Sequence, residues 1–134
     1  MGGFVDDRAA TVRELNVARQ KWRGLGLSDY RYQFRQICFC APPVTTPALV
    51  TVRGGSLVDA VYVASGDPVA DASRIPTIDG LFAQLQEAVD ERAAEVRVQY
   101  DATLGFPTQI YIYRDRRMAD EEIGYEVSAV EDLR

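Results

Sequence analysis

The spacing of apolar residues predicts two amphipathic helices. In residues 4–24 apolar side chains, Leu15 and Trp22 among them, recur every three or four positions, and Gly24 supplies a stop signal. Since large aromatic side chains dominate protein cores, we expect Trp22 to anchor this helix on a sheet. The second helix follows Thr77, a candidate N-cap. Its apolar stripe is Ile78, Leu81, Phe82, Leu85, Ala88 and Val89.

Alternation of apolar and polar residues predicts six strands. The first runs from Tyr30 to Cys40, and residues 48–64 form a hairpin that turns at Gly54 and Gly55. A surface loop is expected at 65–74, and further strands at 95–101, 108–114 and 123–129. The alternation breaks at Gln36, because Ile37 is apolar on the polar face. A bulge at that point or a strand end covered on both sides would explain the break.

This order of elements predicts an α+β fold. We expect a two-layer sandwich in which a mostly antiparallel sheet of about six strands carries two helices on one face, in the order α-β-β-β-α-β-β-β. Residues 1–9 are interpreted as an N-terminal extension, or the remnant of an added segment, that leads into the first helix. Residues 10–134 then form a single domain.

Composition narrows the range of functions. The chain of 134 residues has no histidine, so Ser–His and Cys–His nucleophile pairs and histidine metal sites are excluded. We therefore expect no catalytic residues, no metal and no cofactor. The formal net charge of −5 argues against a nucleic-acid partner. No apolar run reaches the ~18 residues of a transmembrane helix, and the oligomeric state stays open.

The polar face of the predicted sheet is the main candidate for binding. If the helices cover one face, the opposite face presents five residues of types enriched at interaction hot spots. These are Arg31, Arg35, Arg97, Tyr111 and Tyr113. They predict a surface for a protein or an envelope component. The alternative is a solvated face whose polar residues pair across the strands.

Several short motifs resemble those of the domain of unknown function 6174 family, a group of uncharacterised bacterial domains. They are Trp22, Tyr30-Arg31-Tyr32, Cys38-Phe39-Cys40, Val50-Thr51-Val52-Arg53-Gly54-Gly55, Pro76-Thr77-Ile78-Asp79 with Phe82, and Tyr100-Asp101 followed by Gly105-Phe106-Pro107. The resemblance covers roughly residues 20–128. It implies an exported or lipoprotein-type protein in an extracytoplasmic location, and it supplies no activity or catalytic residue.

Two closely spaced cysteines form the second candidate functional site. In an extended strand Cys38 and Cys40 point to the same side, with Cα atoms about 6.5–7 Å apart, at the upper limit for a disulfide. In an exported protein we expect a bridge, which needs a local kink, and otherwise two buried thiols. A thiol–disulfide redox protein is the alternative function, although no helix N-terminus or adjacent cation would lower the thiol pKa. A structural module of a larger assembly is a third possibility.

Overall fold

The computed structural model describes residues 7–38, 45–114 and 122–134. Its elements are α1 (Asp7–Gly24), β1 (Tyr30–Ile37), β2 (Ala48–Arg53), β3 (Ser56–Tyr62), a 3₁₀-helix (Ala72–Arg74), α2 (Ile78–Asp90), β4 (Glu95–Tyr100), β5 (Pro107–Tyr113) and β6 (Glu122–Asp132). The predicted α+β class and element order are confirmed. Residues 4–6 of the predicted first helix, and Phe39 and Cys40 of the predicted first strand, lie outside the described residues.

The six strands form one antiparallel sheet in the order β3-β2-β1-β6-β5-β4. The helices pack on one face of it, and the inward-pointing residues of the strands alternate with outward-pointing polar ones. Trp22 is 2% exposed and meets Tyr30 edge to face, so its predicted anchoring role is confirmed. The largest fully buried side chains are Trp22, Tyr30, Tyr32, Leu15, Ile78, Leu81, Leu85 and Ile112.

Two buried tyrosines and Trp22 fix the start of α2. The Tyr30 hydroxyl accepts a hydrogen bond from the Ile78 backbone N–H at 3.1 Å, and the Tyr32 hydroxyl donates to the Pro76 carbonyl. Trp22 Nε1 donates to Asp79 Oδ1 at 3.0 Å. These contacts add to the N-cap, in which Thr77 Oγ1 accepts from Gly80 N at 3.0 Å. Free backbone donors of the first helical turn thereby gain partners in the core.

The break in alternation at Gln36 has neither of the predicted causes. β1 pairs with β6 in regular register from Gln33 to Ile37, and the bulge lies earlier, between Arg31 and Gln33. Ile37 is not covered on both sides, since it is 46% exposed. It stays in register beside Gly124, where a Cβ would lie 3.1 Å from Ile37 Cβ. The glycine therefore provides the room that the isoleucine occupies.

Residues 65–74 form a mostly exposed loop, as predicted, and part of this loop runs along the outer edge of β3. The Val69 N–H donates to the Ala60 carbonyl at 3.0 Å, and the Tyr62 N–H donates to the Asp67 carbonyl at 2.9 Å. Pro68 forms an isolated bridge with Val61. This segment therefore covers part of one open edge of the sheet.

The turn between β4 and β5 packs tightly on α1. The Asp101 carboxylate accepts from the backbone N–H groups of Thr103 and Leu104, at 3.1 and 2.7 Å. Lys21 Nζ on α1 donates to the Ala102 carbonyl at 2.8 Å. Gly105 has φ +88°, and a Cβ there would lie 2.6 Å from the Ala18 carbonyl oxygen. Only glycine allows this approach of turn to helix.

Candidate binding face

The five predicted binding residues share one side of the sheet, which we call the open face because both helices pack on the other side. Arg31 and Arg35 lie on β1, Arg97 on β4, and Tyr111 and Tyr113 on β5. Their backbone partners in neighbouring strands are also outward-pointing residues. The strand alternation seen in the sequence therefore placed all five side chains on the correct face.

Each of the three arginines has a carboxylate partner. Arg31 lies 3.0 Å from Glu131, and Arg35 pairs with Glu126, in both cases directly across the β1–β6 ladder. Arg97 lies 2.6 Å from Glu95 of its own strand. This arrangement is the pairing of polar residues that the alternative interpretation expected. The face is thus an alternation of charges rather than a basic patch.

Tyr111 joins the charged residues of β4 and β6. The Arg97 guanidinium lies 4.5 Å from the centre of its ring, and the Tyr111 hydroxyl donates to Glu122 at 3.0 Å. Partial desolvation and then this hydrogen bond to Glu122 raise the pKa of the Tyr111 hydroxyl. Tyr113 lies between Glu95 and Glu122 in the sheet register. Tyr111 is therefore held in one orientation on the open face.

A groove of about 630 Å³ crosses the open face over β4, β5 and β6. Of the predicted residues, Arg97 and Tyr111 line it, whereas Arg31, Arg35 and Tyr113 do not. The other residues along it include Ile37, Glu122, Gly124 and Glu126. Gly124 lies opposite both Ile37 and Tyr111, so the missing side chain deepens the surface between two large ones.

The sequence interpretation missed the contribution of β6 to this face. Glu122 begins that strand, although the charged residues before it in the sequence are typical of a connecting loop. Glu126 and Glu131 lie opposite residues of β1. A single glycine inside an alternating strand, Gly124, was the available signal of a close approach or a ligand site. The partners of β6 depend on strand order, which alternation does not reveal.

The cysteine pair lies at the end of β1. Cys38 follows Ile37 and borders the groove, and Cys40 lies outside the described residues. Among the cysteines that the structure describes there is no free thiol. Cys38 is not at a helix N-terminus, which is one of the settings that lower a thiol pKa.

Two further observations concern metals and membranes. In residues 7–38, 45–114 and 122–134 no three cysteine, aspartate or glutamate side chains come together as metal ligands. Within the same ranges, neither helix has the length and apolar character needed to cross a bilayer.

The fold and its open face define a small two-layer α+β protein with a grooved antiparallel sheet. The chain belongs to the family of unknown function DUF6174, which matches residues 14–132. The match includes both helices' core stripes and all six strands, so the resemblance noted from short motifs is confirmed. The chain matches no curated protein and no solved structure.

Proposed function

We propose that the protein is a non-enzymatic binding domain that holds a protein or envelope component on its open face. The groove around Gly124 carries this proposal. Its volume of about 630 Å³ is within the range of ligand pockets. It combines an apolar side chain, Ile37, with an oriented tyrosine and with charges of both signs.

The chemistry of the groove favours a partner of mixed character. Ile37 and the Tyr111 ring offer apolar contact area, while the Arg97 guanidinium lies over that ring and Glu122 accepts a hydrogen bond from its hydroxyl. Because each charge already has an intramolecular partner, a ligand gains little from charge alone. Contact with the aromatic ring and shape complementarity at Gly124 would supply most of the affinity.

The test of this proposal replaces Arg97 and Tyr111 together with alanine. We expect the double variant to lose capture of the partner from an extract of the source cell's envelope. Unfolding free energy should fall by only about 1 kcal/mol, because exposed ion pairs contribute little. A photo-reactive residue at Gln109, which lines the groove, would identify the captured component by mass spectrometry.

The matched control is Arg74→Ala. Arg74 is also an exposed arginine near a carboxylate, 3.5 Å from Asp71, but it lies on the 3₁₀-helix and outside the groove. Capture of the same component by the control and by the double variant alike would contradict the proposal.

We also propose that the protein is exported and that Cys38 and Cys40 form a disulfide. The family resemblance, which implies an exported protein, supports the location, and the lack of a free thiol among the described cysteines supports the bridge. A bridge between two cysteines separated by one residue would fix the end of β1 beside the groove. It would act as a structural constraint rather than as a redox centre.

Alkylation followed by mass spectrometry tests the bridge. We expect iodoacetamide to label neither cysteine before reduction and both afterwards. The thiol pKa measured after reduction then separates a structural bridge from a redox pair, because a reactive cysteine needs a lowered thiol pKa. Labelling of both cysteines without reduction would contradict the bridge, and a thiol pKa well below the ordinary value of about 8.5 would favour the redox alternative.

A further inference from the structure

The two edges of the sheet differ in how they are covered. Strand β3 carries a bulge at Val58 in its ladder with β2, and its outer edge is partly paired with the segment around Pro68. Such devices prevent pairing with another chain. On the outer side of β4, the backbone forms no hydrogen bond with another strand among the described residues.

The register of β4 shows which backbone groups are available. The Ala94 N–H donates to the Arg114 carbonyl at 3.1 Å, across from β4 to the residue that follows β5. Because hydrogen-bonded pairs alternate in an antiparallel ladder, Val96 and Val98 bond to β5 while Glu95 and Arg97 direct their N–H and C=O groups outward. Two consecutive outward positions are sufficient to begin a further ladder.

The apolar side of β4 is also incompletely covered. Val96 and Val98 are half-buried, although their neighbours Ile110 and Ile112 on β5 are only 4% and 1% exposed. A concavity of about 270 Å³ lies between β4 and α1, bordered by Ala10 and Glu14. The helical layer therefore covers this edge of the sheet only in part.

We propose that a second copy of this chain pairs with β4, strand against antiparallel strand, about a two-fold axis at Val96. In this register Glu95 of each copy lies opposite Arg97 of the other copy, which gives two symmetry-related pairs of opposite charge. On the apolar side of the sheet, the Val96 residues of the two copies lie opposite each other. Each outward N–H and C=O of Glu95 and Arg97 then has a partner. The two sheets become one sheet of twelve strands.

Charge complementarity selects this register over its neighbours. An axis at Arg97 would place two arginines opposite each other, which is destabilising. An axis at Val98 would pair Arg97 with Gln99 and leave Glu95 beyond the pairing. With the axis at Val96, the existing Glu95–Arg97 contacts of the two copies join into a ring of alternating charges. A C₂ contact of this kind is closed, so it gives a dimer rather than a filament.

Sedimentation velocity over a range of concentrations tests the dimer with two charge reversals. Arg97→Glu alone and Glu95→Arg alone each place like charges opposite one another, and each should raise the dissociation constant at least tenfold. A mixture of the two variants restores opposite charges at both positions. We expect the mixture to form a heterodimer that neither variant forms alone.

The control is Arg74→Glu, a charge reversal away from β4 that should leave the dimer unchanged. Circular dichroism checks each variant, and Glu95→Gln and Arg97→Gln replace any reversal that fails to fold; both should weaken the dimer. A wild-type monomer at all concentrations would overturn the proposal. So would a dimer that resists both reversals, or variants that fail to combine. These measurements need no binding partner, so their failure leaves the proposed binding function unaffected.

Discussion

Replacing Gly105 with alanine is expected to lower the free energy of unfolding by about 3 kcal/mol. The residue has φ +88°, and the added Cβ would lie 2.6 Å from the carbonyl oxygen of Ala18. That oxygen belongs to the backbone of α1 and cannot rotate away. The turn must therefore move off the helix, which disturbs the contact of Phe106 with Trp22. Urea unfolding followed by the fluorescence of Trp22 measures the effect.

Gly55→Ala is the matched control for this prediction. Gly55 has φ +79°, but nothing lies within 4 Å of the added Cβ. Its substitution should cost about 1 kcal/mol, the conformational penalty alone. Equal losses at the two positions would show that the close approach of the turn to α1 contributes nothing to stability.

Alkaline pH is expected to unfold the protein through its buried tyrosines. Burial raises the pKa of Tyr30 from 10.0 to about 12, and it also raises the pKa values of Tyr32 and Tyr100. Folding therefore favours the protonated hydroxyls. The share of this stability that Tyr30 contributes is fully present below the unfolded pKa of about 10 and is lost as pH rises through about 12. Urea unfolding at a series of pH values would show this fall.

The variant Tyr30→Phe distinguishes the ionisation of the Tyr30 hydroxyl from other effects of alkaline pH on stability. The variant lacks the hydroxyl that accepts from Ile78 N, so at neutral pH it should be less stable by about 1 kcal/mol. Between pH 10 and 12 its stability should decline less steeply than that of the wild type, because one ionising group is gone. Parallel declines would contradict the role of Tyr30.

Features of the fold that depend on a single helix or strand can be predicted from the sequence. Alternation is local, so the pattern from Tyr30 to Phe34 is enough to predict a strand with one buried face, and Tyr30, Tyr32 and Phe34 lie on that face. The stripe from Ile78 to Val89 and the cap at Thr77 defined α2 in the same way. Both features depend on the direction of side chains within one element, which backbone geometry fixes.

Features that depend on contacts between distant elements could not be predicted. Alternation alone does not indicate that β6 lies between β1 and β5, and therefore the partners of Arg31 and Arg35 were unknown. The position of Ile37 was misinterpreted for the same reason, because it depends on Gly124, which lies far along the chain. The groove arises from these pairings, so its location required the structure.

The place of β6 in the sheet determines how the chain can fold. Strands β1 to β3 and strands β4 and β5 are joined into one sheet only through β6, which pairs with both groups. About ninety residues separate β1 from the strand that completes it, and such distant pairing is slow to form. Until residues 122–132 are in place, the inner edges of β1 and β5 are both unpaired. A chain that stops before β6 therefore has four open edges instead of two and is prone to aggregation.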